Sequence, residues 1–153
     1  TALRECYGVK TIDINEIVRA HQYVDKYDSR RDCVVVNLIA LRAHRFRQNC
    51  ILEGHLAHHL EVDRVIVLRT DPKALEERLL RRGFSSEKVK ENVEAEILDV
   101  VLIEAVALHD DRVYELDSTG APDETAQRAW EIIQGHDLER FVPGHIDWTE
   151  QLL

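Results

Sequence analysis

The stretch Cys50-Ile51-Leu52-Glu53-Gly54-His55 constrains the fold of this chain more than any other. Three apolar residues end abruptly in a carboxylate, a glycine and an imidazole. After a short polar step, Val62 to Leu68 forms a second apolar run. Runs of this kind suit buried strands of an open α/β sheet, where ligands bind beyond the carboxyl ends of the strands and loops hold polar groups over a rigid core. Gly54 lets the backbone turn there and approach a ligand with no Cβ in the way. Glu53 and His55 are therefore the first candidates for a functional site.

The surrounding segments alternate in kind. Residues 1–6 read as the end of a helix stopped by Gly8. Val9 to Ile14 alternates and is rich in β-branched residues, which predicts a strand, with Asn15 capping a short helix that carries Arg19 outward. Tyr23 to Asp32 is polar and mixed in charge, and a loop is expected there. Cys33-Val34-Val35-Val36 is apolar and β-branched, and Leu38 to Gln48 has helical spacing. Pro72 opens a helix whose buried face is Leu75, Leu79 and Leu80. One long helix is expected from Ser85 or Ser86 to about Leu108, with Val89, Val93, Ile97, Val100, Val101 and Leu108 as its apolar stripe. Val113 to Leu116 is the last strand and Ala121 to Gln134 the last helix, ended by Gly135. The tail from His136 onward receives no assignment from its pattern. Strands alternating with helices over one domain predict a parallel sheet covered on both faces.

At 153 residues the chain can bury a true core. Its longest apolar run is far short of a membrane-spanning helix, and its first residues lack the apolar segment of a secretory signal. A cytoplasmic protein is expected, or a nuclear one in a eukaryote. Three cysteines (Cys6, Cys33 and Cys50) are an odd count that fits reduced thiols. With 29 acidic against 20 basic residues the formal charge is -9, which repels naked nucleic acid and suits a basic protein partner. The basic stretch Arg42-Ala43-His44-Arg45-Phe46-Arg47 reads as a solvated helix face.

Several groups of residues point the same way when taken together. They are Glu53-Gly54-His55, the run from Val65 to Pro72, Glu77-Arg78-Leu79, Arg82-Gly83-Phe84-Ser85, the run from Glu91 to Ile97, Val142-Pro143-Gly144 and Asp147-Trp148. In combination they resemble the P-loop nucleoside-monophosphate kinases, and among these the atypical adenylate kinases that act in ribosome assembly (the adenylate kinase isoenzyme six family and its archaeal relatives). The resemblance covers nearly the whole chain. It implies a three-layer P-loop NTPase fold with a parallel sheet in the order two-three-one-four-five. It also implies a single domain over 1–153, with a monophosphate-binding segment at about 13–37 and a lid at about 81–91.

One departure from that family is plain. Its ATP site rests on a strand followed by G-x-x-x-x-G-K-[ST], whose N–H groups and lysine hold the phosphates. The six glycines here (Gly8, Gly54, Gly83, Gly120, Gly135 and Gly144) contain no pair at that spacing. The resemblance implies that this loop and the central first strand precede Thr1, over about twenty residues. A sheet without its middle strand leaves two buried edges unpaired. The sequence is therefore expected to be part of a longer protein.

The same resemblance implies roles for individual residues. Glu53 and His55 match an atypical Walker B element, in which the carboxylate anchors Mg²⁺ through its water shell and the imidazole orients the attacking group or a water. Gly54 and Arg19 fall to AMP, with the Arg19 guanidinium fork on its phosphate. Arg78 and Arg82, four apart at the hinge of the lid, fall to ATP. Arg82 stacks on adenine or reaches the phosphates, and Arg78 neutralises charge that builds up during transfer. The residues alone leave plainer readings open: a strand-end carboxylate that caps a helix, a solvated imidazole, and surface arginines balanced by Glu76 and Glu77.

Arg69 ends its strand beside the proposed loop and is equally an ion-pair partner, and Thr119-Gly120 is a candidate support for adenine. The spacing of His55, His58 and His59 permits a zinc reading, but no acid or cysteine completes the set, so His58 and His59 are expected in a solvated turn. Glu94 and Glu96 are expected on the polar side of the long helix, and Cys50 in packing. Two functions then compete. The first is Mg-ATP-dependent phosphorylation of AMP with accompanying ATP hydrolysis. The second is a non-catalytic module that holds a ribosomal protein of the small-subunit platform (the ribosomal small-subunit protein eleven family) during subunit maturation.

Overall fold

The computed structural model describes residues 2–28, 33–46 and 49–152, and the chain separates into two units, Leu3–Val62 and Asp63–Leu153. In the first unit, helix α1 (Ala2–Tyr7) stops where the Gly8 N–H donates to the Arg4 carbonyl at 3.0 Å. Strand β1 (Thr11–Asp13) is shorter than expected, because α2 (Ile14–Ala20) starts early. The cap is Asp13, not Asn15: its Oδ1 accepts the Asn15 N–H at 2.7 Å. A short acceptor on extended backbone satisfies one of the orphan N–H groups of the first turn. Ile14 is buried as the first residue of a helix face that continues at Val18, not as the end of a strand.

Strand β2 (Val24–Asp28) stands where a loop was expected, paired antiparallel with β3 (Cys33–Val36), the apolar, β-branched run. Val24, Tyr27 and Val34 are all exposed, and the register shifts between Val24 and Lys26. The pair therefore carries no inside-outside alternation for the sequence to display. The end of the expected loop, Ser29 to Asp32, lies outside the described residues. Helix α3 (Leu38–Ala43) is capped by Asn37, whose Oδ1 accepts the Ala40 N–H at 2.8 Å. It ends five residues before the expected Gln48, since His44 already has extended backbone; Arg47 and Gln48 lie outside the described residues. Strand β4 (Ile51–Glu53) runs parallel to β1, with Thr11 opposite Ile51 and Asp13 opposite Glu53. Ile14, Val18, Leu41 and Leu60 form the buried core of this unit, with Leu52, Leu56 and Ala57 packed against it.

In the second unit, β5 (Val65–Arg69) runs parallel to β6 (Val113–Asp117), with Val65 opposite Val113 and Arg69 opposite Asp117. Helix α4 (Pro72–Arg81) begins as its sequence predicts, with Pro72 in the first turn and the Asp71 carboxylate accepting from the Lys73 and Ala74 N–H groups. Leu75 and Leu79, four apart, share its inner face, but Leu80 is 51% exposed because it lies a further 100° around the helix.

The expected long helix is two. α5 (Ser86–Ile97) is capped by Ser85, and α6 (Val100–His109) follows a break at Leu98-Asp99. Asp99 has left-handed backbone (φ 54°), and its carboxylate pairs with Arg69. The apolar stripe fails at the same point: Val89 and Ile97 are buried, while Val100, Val101 and Leu108 are exposed.

Helix α7 (Pro122–Gln134) packs through Ala126, Ala129 and Ile132, and the Arg64 guanidinium donates to the terminal carbonyls of Ile132 and Ile133. The tail contains two single turns of 3-10 helix, Leu138–Phe141 and Thr149–Leu152, with Phe141 buried. Among the described residues the strands form three two-stranded sheets, two parallel and one antiparallel, in a mixed α/β architecture. No described helix is long and apolar enough to cross a membrane.

Candidate functional site

The carboxyl end of β4, beside that of β1, carries the acid-Gly-His stretch. Glu53 is half-buried and lies opposite Asp13, so two carboxylates close adjacent parallel strands. They differ in what they bind. Asp13 caps α2, whereas the Glu53 carboxylate has no hydrogen bond or ion pair among the described residues. Gly54 has φ 137°, a conformation that strains any residue with a side chain. A Cβ there would meet Ile14 Cβ at 3.5 Å and Asp13 Oδ1 at 3.9 Å, so conformation, not space, demands glycine. The chain leaves β4 along the first turn of α2 and exposes the His55 side chain.

Beyond it, Ala57–His59 forms one turn of 3-10 helix. The solvated turn expected for His58 and His59 is not found: His58 is 5% exposed, and the two rings lie 4.2 Å apart. Leu60 is buried and Leu56 and Ala57 pack on the core, so the whole turn is drawn inward. Arg19, in the last turn of α2, is exposed and makes no hydrogen bond or ion pair through its side chain among the described residues.

The sequence gives no sign of an aromatic group in this unit. His21 stacks on Tyr23 at 5.3 Å, His44 meets His21 edge-on at 4.9 Å, and His44 contacts Phe46 at 4.7 Å. Tyr23 Oη and His44 Nδ1 are 3.2 Å apart. Burial, and then the neighbouring charge of His21, hold the His44 imidazole below its ordinary pKa of 6.5. The partners are separated by up to 25 positions in sequence, so no local spacing announces them.

In the second unit the strand ends of β5 and β6 are braced by two arginines. Arg69 is 1% exposed; its Nε donates to Glu96 Oε1 at 2.8 Å, its Nη1 to Glu115 Oε1 at 2.5 Å, and its Nη2 to Asp99. Of the two roles open to it, Arg69 fills that of ion-pair partner. Burial works against its charge, but Glu96, Asp99 and Glu115 outweigh burial and raise its pKa above the usual arginine value. Glu96 is accordingly not on the solvated side of its helix. It faces Arg69 and also accepts the Thr70 N–H at 3.1 Å, because the break after α5 turns that last helical turn onto the strand end.

The loops after the two strands are tied to each other. Ser118 donates its N–H (2.7 Å) and Oγ–H (2.8 Å) to the Arg69 carbonyl, and the Asp71 N–H donates to Thr119 Oγ1 at 2.8 Å. Arg78 is half-buried and holds the same loop, with Nη1 on the Ser118 carbonyl (3.0 Å) and Nη2 on that of Thr119 (2.6 Å). Arg82, one turn further on, is exposed at the C-cap of α4, and its side chain has no hydrogen bond or ion pair among the described residues. The segment 81–91 is the turn from α4 through Gly83 and Phe84 into the first half of α5. Glu53, Gly54, His55 and Arg19 thus belong to the first unit, and Arg78 and Arg82 to the second.

Comparison with known proteins gives this arrangement a lineage. Residues 2–99 match the family described as AAA domain. A protein of Natronomonas pharaonis named "Putative adenylate kinase" is 42% identical over 148 residues, which cover 95% of this chain and 87% of that one. Proteins of the same name are 36% identical over 154 residues in Methanocaldococcus jannaschii (97% and 84% covered) and 41% identical over 149 in Archaeoglobus fulgidus (95% and 81%). The match over residues 2–99 shows that the chain belongs to the AAA-domain family, and identity of this order over 95–97% of this chain and 81–87% of those proteins shows that it belongs to an adenylate kinase-like group.

Proposed function

We propose that the protein is an adenylate kinase with ATPase activity, transferring the terminal phosphoryl group of Mg-ATP to AMP, and that it acts in small ribosomal subunit maturation. The observation that carries this reading is Glu53: a half-buried carboxylate at a strand end, with no protein partner among the described residues, followed by Gly54 and His55. The strand-end oxygens of Glu53 and Asp13 suit Mg²⁺, a hard cation that takes oxygen ligands and keeps several waters. Bound there with its nucleotide, the ion supplies neutralising charge to the phosphate oxygens. Glu53 holds the ion's water shell, His55 orients the acceptor oxygen or a water, and Gly54 leaves room for close approach of AMP. Arg19 clamps the AMP phosphate, Arg82 engages ATP, and Arg78 adds positive charge near the transferring group.

The fold reading is the three-layer P-loop NTPase arrangement. The two parallel pairs β1–β4 and β5–β6 correspond to strands two-three and four-five of its order, which supports it. In this reading a glycine-rich loop of the family's kind supplies the lysine and most phosphate contacts. The family resemblance implies that the same protein holds a small-subunit platform ribosomal protein and releases it on nucleotide turnover, and the charge of -9 suits a basic partner of that kind.

Incubating the full-length protein with Mg-ATP, with and without AMP, tests the reading. A kinase forms two ADP for each AMP consumed, and an ATPase releases phosphate at a rate independent of AMP. Retention of the ribosomal protein with neither activity would establish the binding module instead.

A further inference from the structure

The tail motifs Val142-Pro143-Gly144 and Asp147-Trp148 have no part in the proposed reaction, yet the tail from Gly144 to Ile146, which links them, meets β6 through one buried carboxylate. Glu115, 4% exposed in β6, presents Oε1 to Arg69 Nη1. Its Oε2 accepts from three successive tail N–H groups, Gly144 at 2.9 Å, His145 at 3.1 Å and Ile146 at 3.4 Å. Gly144 has φ 103°, the backbone shape that lets consecutive N–H groups converge on a single oxygen. A second tie lies further along, where Gln151 Nε2 donates to Asp71 Oδ2 at 3.1 Å.

Both ties lead to the same place. Arg69, held by Glu115, offers its carbonyl to the N–H and hydroxyl of Ser118. Asp71, held by Gln151, offers its N–H to the Thr119 hydroxyl. Arg78 grips the Ser118 and Thr119 carbonyls in addition. The loop Ser118-Thr119-Gly120 is thereby fixed at the carboxyl end of a parallel strand, where α/β proteins bind nucleotides.

We propose that the tail from Gly144 to Gln151 is a positioning element: docked on Glu115 and Asp71, it sets the 118–120 loop in the shape that receives the base of ATP. This rests on the adenylate kinase reading. Glu115 and Gln151 are positioning residues, acting on the nucleotide only through the loop. An amide at position 115 must turn its NH₂ either to Arg69 or to the tail N–H groups, donor against donor, so Glu115→Gln breaks one tie and keeps the shape. Gln151→Ala removes the exposed tie alone.

In the full-length protein, Glu115→Gln raises KM for ATP about tenfold and Gln151→Ala about threefold, with kcat and KM for AMP within about twofold. In both variants the amides of Ser118, Thr119 and Gly120 exchange with deuterium faster. Unchanged exchange there, in either folded variant, overturns the proposal whatever the kinetics, and so does a fall in kcat with KM for ATP unchanged. If Glu115→Gln does not fold, Gln151→Ala decides alone. A wild-type protein that does not turn over adenine nucleotides sinks the kinase reading and with it the assignment of the loop to ATP; the exchange data then report the tail-to-loop coupling separately.

Discussion

Arg69 faces three carboxylates with one guanidinium, and its position is set by partners 27, 30 and 46 residues away. That distance is why the sequence leaves its role open: a strand-end arginine looks the same whether it awaits a phosphate or fills an ion-pair network. Arg69→Met strands Glu115 and Glu96 without a counter-charge, and a loss of about 3–5 kcal/mol is expected in urea unfolding. A loss below about 1 kcal/mol would mean that the network contributes no more than a surface pair. His44 gives a pH signature. Its pKa is lowered in the fold, so the unfolded chain takes up the proton first as the pH falls. Its contribution is fully present above the ordinary value of 6.5 and is lost as the pH drops below it. His44→Gln therefore flattens the acid side of the stability profile just below that value. An unaltered slope there would show that the aromatic group tolerates the charge.

Elements whose signals are local were legible in the sequence. Pro72 announces α4 because a first-turn proline acts within its own turn, and Gly135 announces the end of α7 for a similarly local reason. The break between α5 and α6 was not legible, since apolar residues continue through it and no proline or glycine marks it. Asp99 accepts left-handed backbone in a structure where Arg69 takes its charge. Strand β2 was hidden by its polar, exposed side chains. The Asp71 carboxyl is held below its ordinary range, first by the Gln151 hydrogen bond and then by the Ala74 N–H. A carboxyl with a lowered folded pKa stabilises above its unfolded pKa and ceases to do so as the pH falls through its folded one. Asp71→Ala is expected to cost about 1 kcal/mol at neutral pH, the usual value of a helix cap. The difference from wild type should shrink in acid, and a constant difference across the pH series would contradict the assignment.

At the scale of the whole molecule, strand-helix alternation conveys a mixed α/β chain with parallel strands, and family membership follows from matches along nearly its full length. The strand end marked Glu53, Gly54 and His55 as candidates and the family resemblance implied their roles; among the described residues the Glu53 carboxylate has no partner. Composition could not reveal that Asp13 stands opposite Glu53, because strand pairing is settled by contacts 40 positions apart. The most direct measurement is the rate of AMP phosphorylation by the full-length protein at saturating Mg-ATP, compared among wild type, Glu53→Gln and His55→Ala. The proposed chemistry predicts kcat lower by about a hundredfold or more in each variant, with unchanged melting temperatures. Wild-type rates in both folded variants would contradict it.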